Sequence, residues 1–142
     1  MHLLSALTGS EKGLWGKMNA WQMVEHLIAF FDISNNKLSF PLVTSPEDVD
    51  KYKSFIYSNK EFRENTKAPL SVVPDEPLPV RSDSFPAALN NLKEAIENFF
   101  NYFHKNPSAQ IIHPVFGLLA GNEWILLHGK HVRHHLRQFN LY

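Results

Sequence analysis

The sequence contains no cysteine. That absence excludes a disulfide framework, a cysteine-ligated zinc site and a thiol nucleophile, and it suits a reducing compartment. Net charge is missing too, since fourteen basic side chains offset fourteen acidic ones. Nothing in that balance points to nucleic acid or an anionic membrane surface as a partner. Long hydrophobic runs are also lacking, and no stretch approaches the roughly 20 residues that span a bilayer. The apolar opening Met1-His2-Leu3-Leu4-Ser5-Ala6-Leu7 has neither the basic region nor the small-residue cleavage site of a signal peptide. A cytoplasmic protein is the expectation. No internal repeat and no low-complexity tract interrupts the chain.

What is present is a chain of 142 residues, 44% hydrophobic, enough for one domain over residues 1–142 with a single buried core. Eleven phenylalanines and three tryptophans make that core bulky and aromatic. Eight histidines are many for this length, and four of them (His128, His131, His134 and His135) crowd one short window.

Asn19, with Gln22 three residues on, predicts a capped helix start. Ala20, Val24, Leu27, Ile28 and Phe31 then recur at helical spacing to about Ile33, and Ser34-Asn35-Asn36 ends the run. Only a turn or two of helix fits before it, in Met1–Leu7. Ser45-Pro46-Glu47-Asp48 predicts a short helix to about Tyr57. The stretch from about Asn59 to Asp83 carries Pro69, Pro74, Pro77 and Pro79 without periodicity and reads as an extended connection. A long helix from about Ser84 to His104 carries an apolar stripe of Leu89, Leu92, Ile96, Phe99, Phe100 and Phe103. After a passage through His113-Pro114-Val115-Phe116-Gly117, read as the turn into it, the last helix runs from about Asn122 to Asn140. These elements predict an all-α protein.

On the last helix, His131 and His135 fall within roughly 20° of Trp124 and His128 roughly 40° away, while Lys130, Arg133 and Arg137 take the opposite, solvent-facing side. An unpaired imidazole pair at the centre of a buried face is costly. Four residues apart, His131 and His135 stack one turn above the other and can converge on one ion. The competing reading is a metal-free polar core, and His128, which also faces inward, is the alternative partner of His131. His134 lies toward the flank. His26 sits beside Met23 and Phe30 at the edge of the early helix's apolar face, where a third ligand and an ordinary boundary histidine are equally open. Trp15 and Trp124 read as packing anchors with locally satisfied indole N–H groups. Gln138, one turn past His135, is placed to orient a ligand. Glu25, Asp32 and Glu123 are the nearest carboxylates, and none is central on an inner face.

The string Trp15-Gly16-Lys17-Met18, then Gln22-Met23 and His26-Leu27, resembles the second-helix region of the DinB-like superfamily of metal-binding four-helix bundles. His113-Pro114-Val115-Phe116-Gly117, Glu123-Trp124 and Lys130-His131-x-x-His134-His135-x-x-Gln138-Phe139 resemble the C-terminal signature of one branch of it. The resemblance implies an up-down-down-up bundle whose first helix is here reduced to a stub, with a long proline-rich connection. It also implies that His26, His131 and His135 bind a divalent transition metal such as zinc or nickel. Three neutral histidines leave open positions for water or substrate. The resemblance therefore implies a metal-dependent hydrolase or a transferase using a small thiol, acting on a small-molecule substrate. The alternative is a non-catalytic metal-binding or dimerising module. Long apolar helices beside a stunted first helix further lead to the expectation of a homodimer.

Overall fold

Helix α1 (Ala20–Ser34) begins where Asn19 and Gln22 exchange hydrogen bonds in the computed structural model, which describes every residue from Met1 to Tyr142. The Asn19 side chain accepts from the Gln22 N–H at 2.8 Å, and the Gln22 side chain accepts from the Asn19 N–H at 3.0 Å. The helix stops because Asn36 takes a left-handed φ of 64°. That turn lets the Lys37 N–H donate to the Asp32 carbonyl at 2.9 Å and the Asn36 N–H to the Ile33 carbonyl at 3.2 Å, satisfying groups that a helix end leaves bare. Met1–Leu7 yields one 3-10 turn, Leu4–Ala6, whose Leu4 is buried.

Pro46–Asp48 forms a 3-10 turn leading into α2 (Val49–Tyr57), and α3 spans Phe85–Lys105 with the Ser84 hydroxyl accepting from the Ala87 N–H. Along α3, Leu92 and Phe99 are buried, whereas Phe100 leaves the expected stripe and is exposed. No helix or strand occurs between Tyr57 and Phe85, as the prolines predict. The connection is held to α1 instead. The Glu25 carboxylate accepts from the N–H groups of Arg81 (2.9 Å) and Ser82 (2.8 Å) and from the Ser82 hydroxyl (2.8 Å). Burial alone would raise the Glu25 pKa, but these bonds outweigh it and hold the carboxyl below its ordinary value.

The all-α expectation is overturned by an antiparallel hairpin, β1 (Gln110–His113) and β2 (Gly117–Ala120). Its register pairs Ile111 with Leu119 and Ile112 with Leu118. The His113–Gly117 passage is therefore the tip of this hairpin rather than a simple turn into the last helix. Two features build it. His113 Nδ1 accepts from the N–H groups of Val115 (3.0 Å) and Phe116 (3.2 Å), and Gly117 takes a φ of 77° that other residues adopt at a cost. A Cβ at Gly117 would also lie 2.7 Å from the Val49 side chain.

Helix α4 (Gly121–Gln138) follows β2 without a linker, with the Glu123 carboxylate accepting from the Ala120 N–H at 2.8 Å. It closes at Asn140 (φ 56°) as α1 does, the Leu141 N–H donating to the Leu136 carbonyl. Helix α1 packs along α3 and against α4 and β1, while α2 packs on α4. One cluster of 18 apolar residues joins them, including Met23, Leu27, Phe31, Phe99, Leu119 and Trp124.

The supposed solvent face of α4 is covered. Lys130 is 5% exposed, and its ammonium donates to the carbonyls of Ser58 (2.7 Å) and Lys60 while lying over the Phe55 ring. Arg133 pairs with Glu61 at 2.8 Å, and Arg137 donates to the Phe62 carbonyl at 3.4 Å. All three cations grip the irregular passage after α2. No helix is long and apolar enough to cross a membrane.

Candidate metal centre

Helices α1 and α4 cross so that His26 faces the pair on α4. The Nε2 atoms of His26 and His131 lie 3.0 Å apart, as do those of His135 and His131. One ring nitrogen from each of the three falls within 4.8 Å of the others. His135 is buried, and His26 and His131 are partly buried. Burial lowers the His26 pKa to about 4, with the nearby His134 adding to it, and lowers that of His135 to about 3. His131 is driven well below its ordinary value by burial first and then by His135 and His26. All three are neutral at pH 7, as metal-binding imidazoles must be.

Tautomers decide whether protons alone can satisfy this cluster. The Trp15 carbonyl accepts from the Gln138 amide nitrogen at 2.7 Å, which turns Gln138 Oε1 toward His135 Nδ1, 2.8 Å away. His135 therefore carries its proton on Nδ1 and presents a bare lone pair at Nε2. Only a proton on His131 Nε2 could meet that lone pair, and the same nitrogen could then accept nothing from His26. The His131 Nδ1 has no hydrogen-bond partner in the protein. A cation receiving three lone pairs resolves this conflict. Tetrahedral zinc at about 2.0–2.1 Å from each nitrogen sets them about 3.3 Å apart, close to the two 3.0 Å separations that His131 Nε2 makes. The residues fit the ion.

The other histidines have different tasks. The Ser34 hydroxyl donates to the Phe31 carbonyl at 2.8 Å, so it accepts from His128 Nε2 at 2.8 Å. His128 also stacks on Phe31 with ring centroids 3.9 Å apart, and its pKa falls to about 3 through burial and then the charge of His113. It faces inward, yet it belongs to the core and not to the cluster. His113 serves the hairpin. His134 lies on the flank as expected, but that flank is roofed by Trp15 and Phe62, and His134 is buried. One expectation fails here. The indole N–H groups of Trp15 and Trp124 have no hydrogen-bond partner in the protein. Phe62, which sequence reasoning passed over, reaches to 6.3 Å from the His131 ring, and Phe30 lies 4.2 Å from it. Phe62 stands in a stretch without periodicity and gives no signal there.

The carboxylates are already engaged. Glu25 holds Arg81 and Ser82, and Glu123 accepts from Ala120, the Tyr57 hydroxyl and Lys53, which together hold its pKa down despite burial. Asp32 lies 3.5 Å from the Lys37 ammonium. None joins the three histidines. The chain matches no family model, no curated protein and no solved structure.

Proposed function

We propose that this chain binds one divalent transition ion, zinc or nickel, through His26, His131 and His135, and uses it as a hydrolase or thiol-dependent transferase of the DinB-like kind. The convergence of three neutral imidazoles whose lone pairs cannot be satisfied by shared protons supports the reading. The incomplete burial of His26 and His131 supports access for a small-molecule substrate. The matching strings around Gln22-Met23-His26 and His131-His134-His135-Gln138 supply the analogy to the superfamily, and fold likeness alone does not fix chemistry. A bound ion of this type polarises carbonyls and brings a water's pKa toward about 7. The chain's own residues hold it: His26 reaches across from α1, and His131 and His135 come from successive turns of α4. Phe30 and Phe62 supply an apolar wall beside His131.

A second reading, a non-catalytic metal-binding or dimerising module, draws support from a specific observation. Glu25 and Glu123 are both committed to structural hydrogen bonds, so no free carboxylate stands ready as a base. Metal analysis of the purified protein, paired with ester, amide and thiol-transfer substrates, separates the two. Turnover lost on chelation and in His131→Ala supports the enzyme. Stoichiometric metal with no turnover in any class supports the module, and protein that retains no added zinc or nickel overturns both.

A further inference from the structure

The passage Gly13-Leu14-Trp15-Gly16 wraps the end of α4 where a longer first helix would otherwise be expected. It holds Gln138 from three directions. The Leu14 N–H donates to the Gln138 carbonyl at 2.7 Å, the Trp15 carbonyl accepts from the Gln138 side chain at 2.7 Å, and the two glycines press against that side chain. A Cβ at Gly13 would lie 2.8 Å from Gln138 Cγ and 2.9 Å from the Trp15 carbonyl oxygen. At Gly16, where φ is 78°, it would lie 2.8 Å from the Gln138 amide nitrogen. Trp15 completes the contact by laying its ring 5.7 Å from that of His134. A glutamine amide can present either end to a neighbour. Here the Trp15 carbonyl selects the orientation, and so selects the tautomer of His135.

We infer that Gln138 is a positioning residue of the metal centre and that Gly13–Gly16 is a built part of it, so that docking of this passage and binding of the ion are linked. The inference rests on the metal-binding reading above. With the passage in place, His135 offers Nε2 as a lone pair. With it displaced, Gln138 is free to turn its NH2 group toward His135, which moves the proton onto Nε2 and removes one ligand. Linkage is reciprocal, so the ion must hold the passage as the passage holds the ion.

Zinc affinity measured by competition with a chromophoric chelator tests the first half, alongside hydrogen exchange over residues 10–18 with and without zinc. Gln138→Ala should weaken zinc binding about 10- to 100-fold, the range for loss of a group that orients a metal ligand. Gln138→Glu should recover most of that loss, because its carboxylate accepts from His135 Nδ1 in either orientation, while its second oxygen, set against the Trp15 carbonyl, should speed exchange at Leu14. Gly13→Ala, which leaves Gln138 and all three ligands intact, should weaken binding in the same direction. In the unaltered protein, zinc should slow exchange of the Leu14 N–H. If that protein binds no zinc, this inference falls with the metal reading. If it binds zinc and Gln138→Ala binds equally well, or zinc leaves exchange at Leu14 unchanged, the linkage alone is overturned.

Discussion

The Nε2 atoms of His26 and His131 stand 3.0 Å apart although 105 residues separate them in sequence. The side chains that surround them do not compete for the same nitrogens: His128 is spent on Ser34 and His134 on the roof formed by Trp15 and Phe62. Single substitutions should therefore sort cleanly. His26→Ala, His131→Ala and His135→Ala should each lose stoichiometric zinc after dialysis, while His128→Ala and His134→Ala should keep it. Elemental analysis of the dialysed variants is the measurement. Zinc retained in His135→Ala but lost in His128→Ala would move the pair one turn along α4.

Acid should destabilise the metal-free protein through histidines held neutral in the fold. The pKa values of His113, His128 and His135 fall to about 3 and that of His26 to about 4, each chiefly by burial. In the unfolded chain these groups protonate near about 6.5. Above that pH both states are neutral and the groups add nothing. Below it only the unfolded state takes up protons, so stability falls until pH reaches the folded values, by about 1.4 kcal/mol per pH unit for each histidine. Urea unfolding in chelator between pH of about 7.5 and 5 should show this slope, reduced by about one proton in His128→Leu. Flat stability over that window would contradict it.

Glu25 is predicted to matter for stability rather than for metal binding. Its carboxylate serves the N–H groups of Arg81 and Ser82 and the Ser82 hydroxyl, from a position only 8% exposed. Glu25→Ala leaves those donors without a partner and should cost about 2–3 kcal/mol. Faster hydrogen exchange should appear at Arg81 and Ser82, with zinc content preserved. Unchanged exchange there would show that the connection is held by other contacts.

Lys130 offers a parallel test on the other side of α4. Lys130→Ala removes the donor from the carbonyls of Ser58 and Lys60 and empties the space over Phe55, for a loss of about 2–4 kcal/mol. Release of the passage should show as faster tryptic cleavage after Lys60 and Arg63. Lys130→Met restores much of the packing but not the hydrogen bonds, so its cleavage rate should fall between the two.

The helices were legible because their apolar residues repeat over many turns, as Leu89, Leu92, Ile96 and Phe99 do in α3. The hairpin was not. Its strands are four residues each, too short for alternation to stand out, and its tip depends on a histidine side chain capping two backbone N–H groups. Within the candidate site, spacing along one helix offers His131 with either His135 or His128, and the structure brings His135 to it. Helical geometry left His26 undecided, because its place beside them depends on how α1 crosses α4. The burial of Lys130 was hidden for a related reason: a helical wheel shows which residues share a side but not what packs against that side. Three charged residues on successive turns read as wet, and residues 58–62, with Phe55 of α2, pack against them.

The span between His26 and His131 has a further consequence for the chain as a polymer. An ion shared between them would tie two points 105 residues apart and act as a reversible cross-link. A covalent cross-link closing a loop of that size stabilises a fold by about 4.7 kcal/mol in chain-entropy terms, without any new packing in the native state. A metal tie shares this leverage only while the native geometry brings its ligands together. Loading such an ion would add to the stability that the apolar core already supplies, and a chelator would lower that stability to the metal-free value.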